Sequence, residues 1–223
     1  CSKKKFLFWY KLFILIRIYV ILLSLSFSAF SQNDSSYIFI LGNTQDAGVP
    51  HIGCEQEFCK NNYNSNQHYF ATSIAVVDPK SSQYTLFEAS PDITSQINYI
   101  SNSLFKRFVL PNNIYITHAH IGHYTGLMYL GRESLGTSGV NVRVLPKMTD
   151  FLKNNGPWNQ LVMLDNIDLE EIEFDKISLI FNNIEIIPVQ VPHRDEYSET
   201  AGYIIQGENK KALFIPDIDK WEK

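Results

Sequence analysis

Cysteine is scarce in this chain: three among 223 residues, one of them at position 1. The other two, Cys54 and Cys59, are spaced more loosely than a Cys-x2-Cys metal knuckle. Two roles stay open for them. They can form a disulfide closing a small loop in an oxidising compartment, or act as accessory metal ligands beside His51 or His68. Acidic residues are missing altogether from the first 31 positions, where the five charges (Lys3, Lys4, Lys5, Lys11, Arg17) are all basic. The remaining chain is left with 14 basic against 23 acidic residues, a net charge of −9. That balance argues against a nucleic-acid-binding surface. Also lacking is an uncharged apolar run of the ~20 residues that span a bilayer. Internal repeats and low-complexity linkers are absent too, which excludes a repeat array.

What is present at the start is a basic stretch, then the apolar run Ile18 to Phe27, then small residues at Ala29 and Ser31. This is the layout of a secretory signal peptide. Residues 1–31 are therefore expected to be a signal peptide cut near Ser31–Gln32, or an uncleaved N-terminal anchor, with residues 32–223 forming one domain. The protein is expected to be exported, periplasmic or secreted, and to meet a membrane only through that segment if uncleaved. The chain opens without Met and stops at Asp219 to Lys223 with no closing element, so it is expected to be a piece of a longer one. With 45% hydrophobic and 13% aromatic residues, it is long enough to bury a sizeable core.

β-Branched and aromatic runs predict strands at Tyr37 to Leu41, Thr72 to Val77, Tyr84 to Phe87, Ile114 to Thr117, Val140 to Leu145, Ala201 to Ile205 and Ala212 to Ile215. A hairpin is predicted from Ile177 to Phe181 and Ile184 to Ile187, around Asn182-Asn183. Apolar residues at helical spacing predict a helix from Asp92 to about Ser101, and further helices from Tyr124 toward Glu133 and from Met148 to Lys153. Asn43 to His68 reads as a long loop of the kind that often carries function. Strands outnumber helices and are mixed with them, which predicts a layered α/β domain.

Three of the six histidines, His118, His120 and His123, fall within six residues, where the strand at Ile114 passes into a helix. In an extended chain His118 and His120 share a side, and His123 can return to them at the first helical turn. Imidazole is the commonest biological metal ligand, which points to a metal site at a strand's C-terminal edge. Two more polar groups sit at strand ends, Pro192-His193-Arg194-Asp195-Glu196 and Pro216-Asp217-Ile218-Asp219. Either alone is weak evidence; beside the histidine cluster they become candidates to converge on the same ion.

These residues resemble the metallo-β-lactamase fold superfamily, whose signature is His-x-His-x-Asp-His, then a further histidine and a bridging aspartate. The matches are His118-Ala-His120-Ile-Gly-His123, His193 and Asp217. The stretches Leu41 to Gly48, Thr117 to Leu127, Pro192 to Glu196 and Pro216 to Asp219 resemble the branch containing pyrroloquinoline-quinone biosynthesis protein B. The resemblance implies a four-layer αββα sandwich, here C-terminally incomplete, with the metal site at one sheet edge. It implies a first metal position on His118, His120 and His193 with Asp217 beside them. His123 and Asp217 remain for a second, whose last histidine would lie beyond residue 223. The sequence departs from the family where the second metal's aspartate is replaced by Gly122, so one zinc ion is expected rather than two, with iron or manganese as alternatives.

Zinc on three histidines with an open position lowers the pKa of its water to about 7. The expected function is thus a metallo-hydrolase acting on a small-molecule ester, amide or phosphoester, with Asp217 as ligand or base. Arg194, Glu196 and Asp219 are candidates to contact substrate or support the ligands. Two other classes remain open: an oxidative or cofactor-biosynthesis enzyme, since histidine and carboxylate also hold iron, and a non-catalytic metal-stabilised binding module.

Overall fold

The computed structural model describes residues 35–221 together with Phe13, Ile14 and Arg17. The expected leader or anchor, residues 1–31, otherwise lies outside the described residues. Residues Ser35–Lys223 form one compact unit. Among the described residues, no helix is long and apolar enough to cross a membrane.

Among the described residues, ten strands form two sheets. The first has the order β1 (Tyr37–Gly42), β2 (Ser73–Asp78), β3 (Gln83–Phe87), β4 (Asn113–Tyr115), β5 (Val140–Val144) and β6 (Ile167–Glu171). Its first three strands are antiparallel neighbours and β3 to β6 run parallel. The second sheet, in the order β10 (Lys211–Phe214), β9 (Ala201–Gln206), β8 (Glu185–Gln190), β7 (Ser178–Leu179), is antiparallel throughout.

Period-2 alternation divides the first sheet between two cores. On one face Ala75, Val77, Leu86, Ile114, Val142 and Val144 meet a helical layer. That layer comprises α2 (Ile93–Ile100), the 3-10 segment Thr125–Leu130, α4 (Pro146–Asn154) and α5 (Trp158–Met163). On the other face Ile74, Val76, Phe87 and Tyr115 meet Ile186, Ala201, Tyr203, Ile205 and Phe214 of the second sheet. Phe87, Tyr115 and Tyr203 form an aromatic cluster there, with ring centroids 5.0 to 5.5 Å apart. Among the described residues the outer face of the second sheet is uncovered, and Leu179 and Leu213 are exposed on it. The described layers are therefore helix, sheet and sheet: an α/β sandwich.

Several expectations change. The supposed loop from Asn43 to His68 contains a helix, α1 (Glu57–Ser65), closed by Asn66 in the left-handed conformation. Helix α5 and strand β6 occupy a stretch for which no element was expected. In the hairpin predicted around Asn182-Asn183, the first strand shrinks to Ser178–Leu179, because both asparagines take positive φ and turn the chain early. Helix α2 runs on through a π-helical turn, Ser101–Phe105.

Candidate metal centre

Strand β4 is three residues long, and the chain beyond it enters the site directly. Its exit is pinned by β9: Tyr203 donates its hydroxyl to Ile116 O at 2.6 Å, and Ala201 donates its backbone N–H to Thr117 O at 3.0 Å. His118 and Ala119 follow, the latter donating its N–H to Ser198 Oγ at 2.8 Å. The chain then turns into the short helix α3 (Ile121–Tyr124), which carries His123. This helix is stapled to the segment after β3 by Ala89 N–H to His123 O (2.8 Å) and Gly126 N–H to Ala89 O (2.9 Å). Gly126 is required at that contact: a Cβ there would lie 2.2 Å from Ser90 O and 2.8 Å from Ala89 O.

Four side chains from three segments converge. His118, His120, His193 and Asp217 each present one ligand atom, and these atoms all lie within 4.8 Å of one another. His118 Nε2 is 2.8 Å from His120 Nδ1, His193 Nε2 is 3.1 Å from the same Nδ1, and Asp217 Oδ2 is 3.6 Å from both His118 Nε2 and His193 Nε2. The far nitrogen of each ring is engaged elsewhere: His118 Nδ1 with Thr117 Oγ1 (2.9 Å), His120 Nε2 with Glu196 Oε2 (2.7 Å), His193 Nδ1 with Asp219 Oδ1 (2.8 Å).

This arrangement has a chemical consequence. Carboxylates only accept hydrogen bonds, so His120 Nε2 and His193 Nδ1 carry the protons. In neutral rings that leaves His120 Nδ1 and His193 Nε2 as two lone pairs facing each other at 3.1 Å. A cation between them removes the repulsion, and outer partners of this kind fix metal-binding imidazoles elsewhere. Burial, reinforced by the imidazoles of His123 and His120, pushes His118 down to about 2. Its ring is accordingly neutral with a lone pair to give. The contact with His123 holds Asp217 at about 2 against the opposing effect of burial, with further help from His118 and His193. The residues present thus fit a divalent metal.

The remaining candidates are placed as follows. Glu196 and Asp219 lie behind His120 and His193 and bind no further described histidine. Arg194 is exposed, and its ion pair, at 3.8 Å, is with Glu196. Cys54 and Cys59 are joined as a disulfide with Cα atoms 6.1 Å apart, so the accessory-metal alternative for them falls away. His51 bonds to Ile52 O, and His68 pairs with Asp92.

His123 stands apart from the four. It is buried, with Nδ1 3.2 Å from Glu88 Oε2 and Nε2 3.3 Å from both Asp46 Oδ1 and Asp217 Oδ2. Burial works against a charge on this ring, but Glu88, Asp217 and Asp46 outweigh it and raise His123 to about 12. Burial pushes the Glu88 carboxyl up, opposed by His123 and Thr117. Glu88 has a positive φ of 77°, a costly conformation for a residue with a side chain. Asp46, His123 and Asp217 form a second group of ligand atoms within 4.8 Å of one another.

Asp46 and Glu88 were not expected from the sequence. The one available signal for Asp46 was its place in the stretch Leu41 to Gly48. For Glu88 it was a charge directly after the buried strand Tyr84 to Phe87.

Residues 84–223 match the family described as the beta-lactamase superfamily domain. The chain belongs to the beta-lactamase superfamily. Solved structures of the metallo-β-lactamase fold resemble it. The zinc-bound PqqB from Methylobacterium extorquens superposes with a TM-score of 0.68 at 20% identity, covering 82% of this chain and 66% of that one. A diphosphatase of the PhnP family gives 0.55 at 21%, covering 76% and 61%. YhfI from Bacillus subtilis gives 0.52 at 10%, covering 81% and 62%. At these identities the likeness is one of fold, and the chain spans 61 to 66% of the length of these three structures. No curated protein is a significant sequence match. This superfamily membership makes the His/Asp cluster a candidate metal site in a fold whose relatives include hydrolases.

Proposed function

We propose that this superfamily member is a metal-dependent hydrolase of a small-molecule ester, amide or phosphoester, with His118, His120, His193 and Asp217 holding zinc. The observation that carries the reading is the convergence of three ring nitrogens and one carboxylate oxygen, with each ring's far nitrogen already committed. When bound, such an ion supplies Lewis-acid activation of water for attack on a carbonyl or phosphoryl centre.

The chain's own residues do the rest. Thr117, Glu196 and Asp219 fix the ring orientations, so the ligand set is organised before an ion arrives. Asp217, low in pKa and 3.3 to 3.6 Å from three imidazoles, stays ionised and can accept a proton hydrogen bond from a nearby water. His118 forms the buried floor, whereas Asp217 and Glu196 are partly or well exposed, so the cluster is reachable from one side. The basic and then apolar first 31 residues support export.

The test is turnover of chromogenic ester, lactam and phosphodiester substrates by the full zinc-loaded chain. Activity that disappears on chelation, returns with zinc and is lost in His118→Ala supports the reading. Metal bound without turnover on every substrate class favours the binding-module alternative, and turnover unaffected by His118→Ala sinks the proposal.

A further inference from the structure

The sequence has Gly122 where its family carries a metal-binding aspartate, yet in three dimensions a carboxylate is there. A Cβ built on Gly122 would fall 2.0 Å from Asp46 Oδ1, 2.2 Å from Asp46 Cγ and 2.7 Å from Asp46 Oδ2. The Asp46 carboxylate fills the volume that a side chain at position 122 would enter. It arrives from the segment after β1, on the opposite edge of the first sheet from β6.

That segment is anchored. Thr44 N–H donates to Phe70 O and Thr72 N–H to Thr44 O, while Thr44 Oγ1 donates to Phe70 O at 2.7 Å. Gly48 N–H closes a turn onto Gln45 O at 2.9 Å, with Ala47 and Gly48 both at positive φ. Asp46 sits inside this turn.

The second, independent observation is His123. Its side chain is 2% exposed, and Nε2 has no hydrogen-bond partner among the described residues. It lies 3.3 Å from one oxygen of Asp46 and 3.3 Å from one of Asp217, poorly aligned with both. This buried nitrogen is aimed between two carboxylates, and a divalent cation there would displace its proton and be held by all three groups. Glu88 Oε2 lies 3.2 Å behind the ring at Nδ1, placed to hold Nδ1–H when Nε2 gives up its proton to an ion.

We propose that Asp46 replaces the missing carboxylate of position 122 and, with His123 and Asp217, holds a second divalent cation beside the first. The inference rests on the first metal position proposed above, because Asp217 Oδ2 is common to both groups. The two positions differ in chemistry. The first offers three nitrogens and one oxygen, the second one nitrogen and two carboxylates. The second therefore favours harder ions such as manganese more than the first does. It also has fewer ligands and loses its ion first.

The experiment measures ions bound per full-length chain, by elemental analysis and native mass spectrometry, after metal removal and reloading with zinc or manganese. Wild type takes up two. Asp46→Ala and the isosteric Asp46→Asn each keep one, the second ion's affinity falling by at least about 100-fold, the upper end of what losing an outer-shell partner costs. The double variant Asp46→Ala with Gly122→Asp, which moves the carboxylate back to position 122, recovers two. In manganese-loaded wild type, electron paramagnetic resonance shows an exchange-coupled pair that the Asp46 single variants lack. Two ions retained in both single variants, or only one in wild type, overturns the assignment of Asp46 while leaving the first position standing. No ion in wild type overturns both.

Discussion

Gly126→Ala tests whether the close approach between the site helix and the segment after β3 positions His123. The added Cβ would lie 2.2 Å from Ser90 O, 2.8 Å from Ala89 O and 2.8 Å from Ile93 Cγ2. Two of these atoms are backbone, so no side-chain rotation relieves the clash, and the helical turn must retreat by roughly 1 Å to restore ordinary contact. The retreat stretches the Gly126–Ala89 and Ala89–His123 backbone hydrogen bonds, now 2.9 and 2.8 Å. Overpacking of this kind costs about 1–3 kcal/mol, and weakening a buried hydrogen bond adds about 1 kcal/mol. The smaller unfolded-state entropy of alanine returns only about 0.4–1 kcal/mol, so the clash wins. The net cost is about 1–3.6 kcal/mol, so at about 2–4 °C per kcal/mol for a domain of this size Tm should fall by about 2–14 °C.

The assay is thermal unfolding of the metal-free protein followed by circular dichroism, with zinc titration of the folded form. Gly207→Ala is the control: its Cβ would meet only Lys210 O at 3.8 Å, so Tm should stay within about 2 °C. A Gly126→Ala protein with wild-type Tm and zinc binding, or an equal loss in Gly207→Ala, would refute the reasoning.

Three other outcomes are expected. Tyr203→Phe leaves the Ile116 carbonyl without the hydroxyl now 2.6 Å away, so stability should drop by about 1–3 kcal/mol in denaturant unfolding, with secondary structure unchanged. Glu196→Gln removes the carboxylate behind His120 and should weaken zinc binding about tenfold in a competition titration, as outer partners of metal-bound histidines do. In the metal-free protein Asp217 is depressed from 3.8 to about 2. Its folded-state contribution is full above its unfolded pKa and is lost as pH falls through the folded one. Acid unfolding of wild type should therefore steepen between pH 4 and 2, and Asp217→Asn should flatten that part of the curve.

The parts of the fold visible in the sequence were those whose residues had one reading. Tyr37 to Leu41, Thr72 to Val77 and Val140 to Leu145 are β-branched or aromatic runs, and each became a strand. Helix α1 was hidden because Glu-Phe-Cys-Lys-Asn-Asn-Tyr-Asn-Ser buries only Cys59 and Asn62 and carries no apolar stripe. A disulfide and an asparagine C-cap hold it in place of hydrophobic periodicity. Strand β6, Ile-Asp-Leu-Glu-Glu, is an edge strand with acidic residues outward, and charge masked its alternation.

The histidines were legible because His118, His120 and His123 are crowded into one segment, and His193 and Asp217 because each follows a strand. The orienting pairs with Glu196 and Asp219 depend on loop geometry that spacing does not encode. Asp46 illustrates the limit most clearly. Gly122 announced that a carboxylate was missing from the local motif. That another could enter the same volume from a turn 76 positions earlier is a property of sheet topology, visible only once β1 and the β4 exit are placed together.

The proposed chemistry depends on the metal position formed by His118, His120, His193 and Asp217. Its most direct test is the zinc content of the full chain after dialysis against metal-free buffer, measured beside His120→Ala and His193→Ala proteins that retain wild-type circular dichroism. Wild type should hold zinc tightly, and both variants should lose it. Zinc retained undiminished by both variants, or a wild-type chain that takes up none, would contradict that metal position.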